Sequence, residues 1–191
     1  MSEAADGHAI DPERQLPAEL LYLLHRHPRA SWRDGDGLGE LGRFWLERHR
    51  MFRALAAAIT HGITRLREGR HAPEGFAAWL VPRLRTCLTE LDGHHRIEDA
   101  HYFPAFRTAE PRLVAGFDLL ERDHHALEAA LETVALSGRA FLEGLIPGRP
   151  VPIRALEAHL DAVGRLTRSL DRHLDDEEDL VMPLLLAHGA G

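Results

Sequence analysis

Apolar residues recur at spacings of three and four along most of this chain, which is the pattern of helices that bury one face. No segment alternates between apolar and polar residues with a period of two over a useful length. The sequence therefore predicts an all-α protein. Its four long helices are expected to cover residues 41–66, 80–102, 113–134 and 156–184.

Short connections that contain proline or glycine separate these stretches, near residues 69–73, 105–111 and 144–152. Short connections make consecutive helices antiparallel neighbours, so we predict an up-down-up-down four-helix bundle over residues 40–187. The second helix is expected to close near Pro104, because proline interrupts the backbone hydrogen bonding of a helix.

The first 39 residues are predicted to form an N-terminal arm. Residues 1–16 are polar and carry no periodic pattern, so we expect them to be frayed. Residues 17–27 predict a short helix, and residues 28–39, which are rich in glycine and aspartate, predict a loop.

Composition narrows the class of protein. The chain has 191 residues, the length of one domain, and 45% of them are hydrophobic, which is ample for a core. No apolar stretch is long enough for a bilayer and the start lacks signal-peptide features, so we expect a cytoplasmic protein without membrane contact. The net charge is −7 and the basic residues are scattered, which argues against nucleic-acid binding. The single cysteine, Cys87, is interpreted as a core residue.

Histidines interrupt the apolar faces of all four predicted helices, and those of the second and fourth helices are followed by a glutamate four residues later within similar sequences. A carboxylate on a buried face is costly unless it is paired or bound to a metal. In an antiparallel bundle with a rise of ~1.5 Å per residue, the four histidines fall within about one helical turn of the same level. Such convergence indicates a metal site rather than a core. The residues concerned are His49, His94, Glu98, His124, His173 and Glu177.

The H-x-x-x-E spacing lets one helix offer two ligands. Residues four apart share a face, so an imidazole and one carboxylate oxygen can reach one ion while the other oxygen reaches a second ion. Glu98 and Glu177 are therefore candidates to bridge two ions. His124 and Glu128 form a third pair of this spacing, whereas His49 is the single ligand of its helix. Imidazole and carboxylate donors without thiolates suit iron, manganese or zinc.

The two H-x-x-x-E motifs lie in similar sequences, which indicates that one helical hairpin occurs twice. Residues 94–104 read HHRIEDAHYFP and residues 173–183 read HLDDEEDLVMP. The order H, H-x-x-x-E, H, H-x-x-x-E over roughly residues 40–187 resembles the hemerythrin-like, or HHE cation-binding, family. The resemblance implies a four-helix bundle with a non-haem di-iron centre that binds oxygen or related small molecules.

The resemblance also implies which residues hold the metal, and it shows one departure. Oxygen-carrying hemerythrins have a fifth histidine where this chain has Glu128. Four histidines and three glutamates make a more anionic site, which favours the ferric state and argues against reversible oxygen carriage. The family's ligand positions fall on His49, His94, Glu98, His124, His173 and Glu177, with Glu98 and Glu177 bridging.

Several neighbouring residues are alternatives or supporting candidates. Trp45 is expected to belong to an apolar wall around the site, and Tyr102 is a candidate hydrogen-bond donor to a bound ligand or a bridging glutamate, with a core tyrosine as the alternative. The remaining histidines, among them His159, are expected to face solvent. The alignment of the repeats and the spacing of four favour the ligands named above over their neighbours, which are His95 for His94, His125 for His124 and Glu178 for Glu177.

Two functions fit these expectations. The first is a protein with two iron ions that handles dioxygen, peroxide or nitric oxide, with peroxide turnover or sensing preferred over oxygen transport because of Glu128. The alternative is an iron-storage or iron- and oxygen-responsive binding module without turnover. Zinc or manganese in place of iron gives a third, structural reading. The sequence indicates no particular protein partner.

Overall fold

The computed structural model describes residues 10–32 and 37–189, and these residues contain helices and no strand. The prediction of an all-α protein is confirmed. The helices are α1 Tyr22–Arg26, α2 Glu40–Arg67, α3 Phe76–Ile97, α4 Phe103–Ala109, α5 Val114–Gly144 and α6 Ile153–His188.

A π-helical turn at Glu98–Tyr102 joins α3 and α4 into one continuous rod. The expected end near Pro104 is therefore wrong, because Pro104 lies in the first turn of α4, where its missing N–H is not needed. The buried positions of this rod step from Glu98 directly to Phe103. A step of five residues keeps the buried face turned inward across a π-helical turn.

Four rods, namely α2, the α3–α4 rod, α5 and α6, form the bundle. Helix α2 packs against α3 and α6, and α5 packs against α3 and α6, so that each rod has two neighbours. The connections between rods are short, at residues 68–75, 110–113 and 145–152, and the second begins later than the predicted 105–111. The up-down-up-down bundle follows from these connections.

Two apolar clusters fill the bundle, one on each side of a polar layer. Along α5, the residues before His124, such as Phe117, belong to one cluster, and the residues after it, such as Phe141, belong to the other. Helix α2 divides in the same way at His49, and α6 divides between Leu174 and Leu180, at the level of Glu177. The histidines that interrupt the apolar faces in the sequence therefore lie at one level of the bundle.

The N-terminal arm packs onto the bundle, and α1 lies against α6. Leu23 and Trp32 are buried in the same cluster as Phe117. The expectation that residues 1–16 are frayed is wrong for residues 10–16, because Ile10 and Leu16 are buried. Residues 1–9 lie outside the described residues, as do residues 33–36 of the predicted loop.

Candidate metal centre

Imidazoles and carboxylates from all four rods converge in the polar layer between the two apolar clusters. They form two groups, and within each group the donor atoms lie within 4.8 Å of one another. Most of these side chains are fully buried, and that of His94 is 10% exposed. The three-histidine group is His95, His124 and His173, and the two-histidine group is His49, His94, Glu98 and Glu177.

Glu98 faces both groups. Its Oε1 lies 2.9 Å from Nε2 of His94, in the two-histidine group. Its Oε2 lies 3.5 Å from Nε2 of His124, in the three-histidine group. The carboxylate therefore directs one oxygen toward each group, which is the orientation that a bridging ligand requires.

Glu177 repeats this arrangement from the opposite side of the bundle. Its Oε1 lies 3.5 Å from Nε2 of His49, and its Oε2 lies 3.3 Å from Nε2 of His173. The two halves of the chain that resemble each other in sequence thus contribute equivalent carboxylates. A pair of carboxylates between two sets of imidazoles suits two ions side by side.

The spacing of the donor atoms fits metal ligands. The Nε2 atoms of His49 and His94 are 3.3 Å apart. Two nitrogens that bind one ion at about 2.1 Å and at right angles to each other lie about 3 Å apart. Two imidazoles that direct Nε2 at the same point have no better common partner than a cation.

Several atoms of the two groups are buried and make no hydrogen bond to any part of the chain that the structure describes. A buried polar atom without a partner is costly, and a bound cation supplies the missing partner. The donor set and its unsatisfied atoms therefore fit a metal centre. These atoms are Oε1 and Oε2 of Glu98, Oε2 of Glu177, Nε2 of His95 and His124, and both ring nitrogens of His173.

The electrostatics of the groups also suit a cation. Burial lowers the pKa of His94 to about 3 and holds the pKa of His95 well below its usual range, so both rings are in the neutral form that binds metals. Burial and the nearby charge of Glu177 raise the pKa of Glu98 well above its usual range. Burial also acts to raise the pKa of Glu177, but His49 and His173 outweigh it and hold that pKa well below its usual range. A divalent cation between two such carboxylates relieves their repulsion.

Three further carboxylates lie behind ligand histidines, and we call them the outer carboxylates. A carboxylate at Nδ1 fixes the orientation of the ring and directs Nε2 toward the centre. Each outer carboxylate is the sequence neighbour of a residue of the two groups and faces a histidine on a different helix. Two of the pairs lie at hydrogen-bond distance, Asp99 with His124 at 2.8 Å and Glu178 with His49 at 3.1 Å. The third, Asp123 with His173, is a longer contact of 3.5 Å without a hydrogen bond.

Two aromatic residues border the two-histidine group. The indole N–H of Trp45 donates a hydrogen bond to Oε1 of Glu177, so Trp45 contributes a polar contact and not only the predicted apolar wall. Tyr102 packs edge-on against Trp45, with the ring centroids 4.9 Å apart, and is partly buried. A role for the Tyr102 hydroxyl as a hydrogen-bond donor stays a prediction.

The structure brings together six of the seven residues that the sequence predicted as ligands. His95, which the sequence analysis treated as an alternative to His94, joins them in addition to His94. His125 is exposed on α5, and Glu178 is an outer carboxylate rather than a member of either group. The six residues are His49, His94, Glu98, His124, His173 and Glu177.

Glu128 does not belong to the centre, which corrects the sequence-based prediction. It is exposed on α5 and lies outside both groups. The buried face of α5 continues from His124 to Leu127, three residues on, and then to Leu131, so the residue four positions after His124 turns away from the core. With His95 in place of Glu128, the centre contains five histidines and two glutamates.

His159 is a second correction. It was expected to face solvent, but it is buried in the apolar cluster that contains Phe141, whose ring stacks on it at 6.0 Å. Its Nδ1 lies 3.0 Å from the hydroxyl of Ser137 on α5. His159 occupies a buried position of α6 three to four turns before His173, so it is a core histidine remote from the metal centre.

A helical bundle with clustered imidazoles and carboxylates at its centre defines a metal-binding bundle protein. The family model of the hemerythrin HHE cation-binding domain matches residues 41–185. The chain therefore belongs to the hemerythrin HHE cation-binding family, and it is a metal-binding protein. Comparisons with curated proteins and with solved structures gave no match. None of the described helices is long and apolar enough to cross a membrane.

Proposed function

We propose that this protein holds two iron ions and binds a small ligand, namely dioxygen, peroxide or nitric oxide, at the two-histidine group. The observation that carries the proposal is the orientation of Glu98 and Glu177, each of which directs one oxygen toward each group. Imidazole and carboxylate donors without thiolate suit iron, and manganese and zinc are the alternatives.

The two groups differ in the number of donors that they offer. One ion would receive three imidazoles and one oxygen from each of Glu98 and Glu177. The other would receive two imidazoles, from His49 and His94, and one oxygen from each glutamate. The second ion therefore has one protein ligand fewer, which leaves a position for an exogenous ligand. Iron at such a position supplies the redox chemistry, and the surrounding apolar side chains limit access of water.

The net charge of the donor groups affects whether oxygen transport, turnover or sensing is expected. The preference for turnover or sensing over oxygen transport rested on a third carboxylate, Glu128. Because His95 lies in the three-histidine group and Glu128 lies outside both groups, the proposed donor set is less anionic, and the argument that its charge favours the ferric state no longer applies. We therefore propose that the centre binds the ligand. The test below distinguishes reversible binding from turnover.

The test is metal analysis of protein purified from iron-supplemented cells, followed by optical spectra of the reduced protein before and after exposure to dioxygen, peroxide and nitric oxide. We expect about two iron ions per chain and a new absorption band with at least one ligand. Return of the starting spectrum on removal of dioxygen indicates carriage, and consumption of added peroxide indicates turnover. Protein that contains zinc alone, or iron that responds to none of the three ligands, contradicts the proposal.

The layered core supports a second function, an iron-responsive binding module. The polar layer separates the two apolar clusters, so buried atoms such as Oε2 of Glu177 depend on a cation for their partner. A metal that binds only the folded state stabilises it by mass action. The apo protein is then expected to melt at a lower temperature and to be cleaved faster by protease. Equal melting temperature and protease resistance with and without iron would exclude this function.

A further inference from the structure

The N-terminal arm lies outside the residues that match the family model and crosses the polar layer. Ile10 is buried in the apolar cluster of Phe141, whereas Leu16 is buried in the cluster of Phe117. The segment between them therefore passes the metal centre on its way from one cluster to the other. Arg14 is the cation of this segment, and its guanidinium reaches α5 and α6 at the level of the ligands.

Arg14 lies between two buried carboxylates on different helices. Its Nη1 donates to Oδ1 of Asp123 at 2.8 Å, and its Nη2 donates to Oδ2 of Asp176 at 2.6 Å. Asp123 and Asp176 are 4% and 0% exposed. Two carboxylates buried close together repel each other, and Arg14 offsets this repulsion by bonding both. Asp176 is also bonded by Arg172 of α6, so Asp123 is the carboxylate that depends more on Arg14.

The link from Arg14 to the centre runs through Asp123. Oδ2 of Asp123 faces Nδ1 of His173 at 3.5 Å, while the same carboxylate is held by Arg14. His173 is fully buried and belongs to the three-histidine group. Arg14 therefore holds the Asp123 carboxylate in the position in which it faces His173. Without Arg14, that carboxylate can turn away from His173.

A second arginine of the arm makes the corresponding link to the other group. Arg29 donates from Nε to Asp179 at 2.6 Å and from Nη2 to the backbone carbonyl of Asp175 at 2.8 Å. Its Nη1 lies 3.5 Å from Oε2 of Glu178, whose Oε1 lies 3.1 Å from Nδ1 of His49. The arm thus reaches an outer carboxylate behind each group, although Glu178 is held more closely by Arg53 of α2, whose Nη1 donates to Oε1 at 2.6 Å.

We propose that the N-terminal arm is part of the metal centre, in which Arg14 and Arg29 act as positioning residues for His173 and His49 through Asp123 and Glu178. The inference rests on the proposed two-metal centre, because it assigns residues that orient its ligands. It differs from a purely structural role in that loss of these arginines lowers metal affinity and shifts the reduction potential, and not only the stability of the apo protein.

The test compares Fe²⁺ affinity, measured anaerobically against a chelating competitor, in the full chain and in Arg14→Gln. Loss of an outer partner of a ligand histidine costs about 10–100-fold in metal affinity. We expect a loss of this size in Fe²⁺ affinity for Asp123→Asn. For Arg14→Gln we expect a smaller loss of about 3–10-fold, because Arg14 contacts Asp123 and not the ligand histidine. If Arg14 acts through Asp123, the double variant should bind Fe²⁺ no more weakly than Asp123→Asn alone.

Arg107→Gln is the matched control. Arg107 also bridges two carboxylates, Asp118 and Glu121 on α5, and its side chain is 22% exposed, compared with 20% for Arg14. Neither Asp118 nor Glu121 contacts a ligand histidine within the described residues. Arg107→Gln should therefore leave the Fe²⁺ affinity and the reduction potential unchanged.

Three outcomes decide the inference. If Arg14→Gln lowers the melting temperature of the apo protein but binds Fe²⁺ as tightly as Arg107→Gln, the arm is only structural and the inference fails. If Arg14→Gln does not fold, the double variant Arg29→Gln, Arg53→Gln carries the same comparison with Glu178→Gln as its partner variant, because both arginines contact Glu178. If the unmodified chain binds fewer than two ions, the proposed centre fails independently of the arm.

Discussion

The adjacent residues His94 and His95 serve different donor groups, with their ring centroids 5.9 Å apart. His94 directs Nε2 at Nε2 of His49, whereas the ring of His95 stacks on that of His124 at 4.1 Å. Consecutive residues of a helix point about 100° apart, so one helix can face two ions when both lie in front of it. His95 of α3 is thereby the fifth histidine of the centre. The position on α5 four residues after His124 does not provide it, because that residue is Glu128.

His95 provides a direct test of this arrangement. His95→Ala should reduce the bound iron from two ions toward about one per chain, because the three-histidine group loses an imidazole while the two-histidine group keeps its donors. Metal analysis after desalting measures this. His125→Ala is the matched control, since His125 is exposed, and it should retain two ions. Full retention by His95→Ala would refute the assignment.

The neighbouring glutamates of α6 should separate by role. Glu177→Gln removes a carboxylate that faces both groups, so we expect the loss of at least one ion. Glu178→Gln keeps both groups of donors and weakens the support of His49, so both ions should bind with an affinity lower by about 10–100-fold. Isothermal titration with Fe²⁺ under anaerobic conditions measures both effects.

Glu128→Gln is a third glutamate variant, on α5. Glu128 is exposed and lies outside both groups. The variant should bind two ions with unchanged affinity. Loss of an ion in this variant would show that Glu128 is a ligand, as the sequence predicted, and would contradict its outward direction on α5.

His159 should make the protein sensitive to acid. Burial lowers its pKa to about 4 in the folded state, whereas an unfolded histidine has a pKa near ~6.5. Between these values the unfolded chain binds the proton more readily, so the free energy of unfolding decreases as the pH falls from about 6.5 to about 4, by up to about 3 kcal/mol. His159→Phe removes this contribution and should flatten the dependence.

Urea unfolding at several pH values between 7 and 4 checks that prediction, with the difference between the two proteins isolating His159 from other titrating groups. His61→Ala, at an exposed position of α2, should keep the pH dependence of the unmodified chain. Equal slopes for His159→Phe and the unmodified chain would show that the buried ring does not contribute.

Two helical glycines should respond in opposite directions to alanine. A Cβ at Gly62 would overlap the ring of Trp79, so Gly62→Ala should destabilise the protein by about 1–3 kcal/mol. Gly93 has open space at the Cβ position, and Gly93→Ala should stabilise α3 by about 0.5–1 kcal/mol. Chemical denaturation of both variants measures the change, and destabilisation by Gly93→Ala would contradict the open position.

Much of the fold could be predicted because it depends on local patterns. The apolar spacing located all four rods and two of their three connections, since a helix needs one continuous buried face. The expected end at Pro104 was wrong because the sequence pattern does not show that a π-helical turn carries the buried face from Glu98 to Phe103. The packing of Ile10 and Leu16 was missed because isolated apolar residues in a polar segment give no period.

The sequence by itself determined which side chains share a helix face. The pairs His94 with Glu98 and His173 with Glu177 are set by the spacing of four, which fixes their relative direction in any helix. These pairs could therefore be recognised without knowledge of the neighbouring helices. The repeated motif and the level of the remaining histidines then indicated a single centre.

Only the tertiary structure decided how each helix is rotated about its axis. That rotation turns Glu128 outward, brings His95 inward and places Asp123 of α5 beside His173 of α6. It also brings Arg14 to the polar layer from more than 100 residues away in the chain. Rotation results from the packing of all the rods and the arm together, so the spacing within one helix cannot encode it.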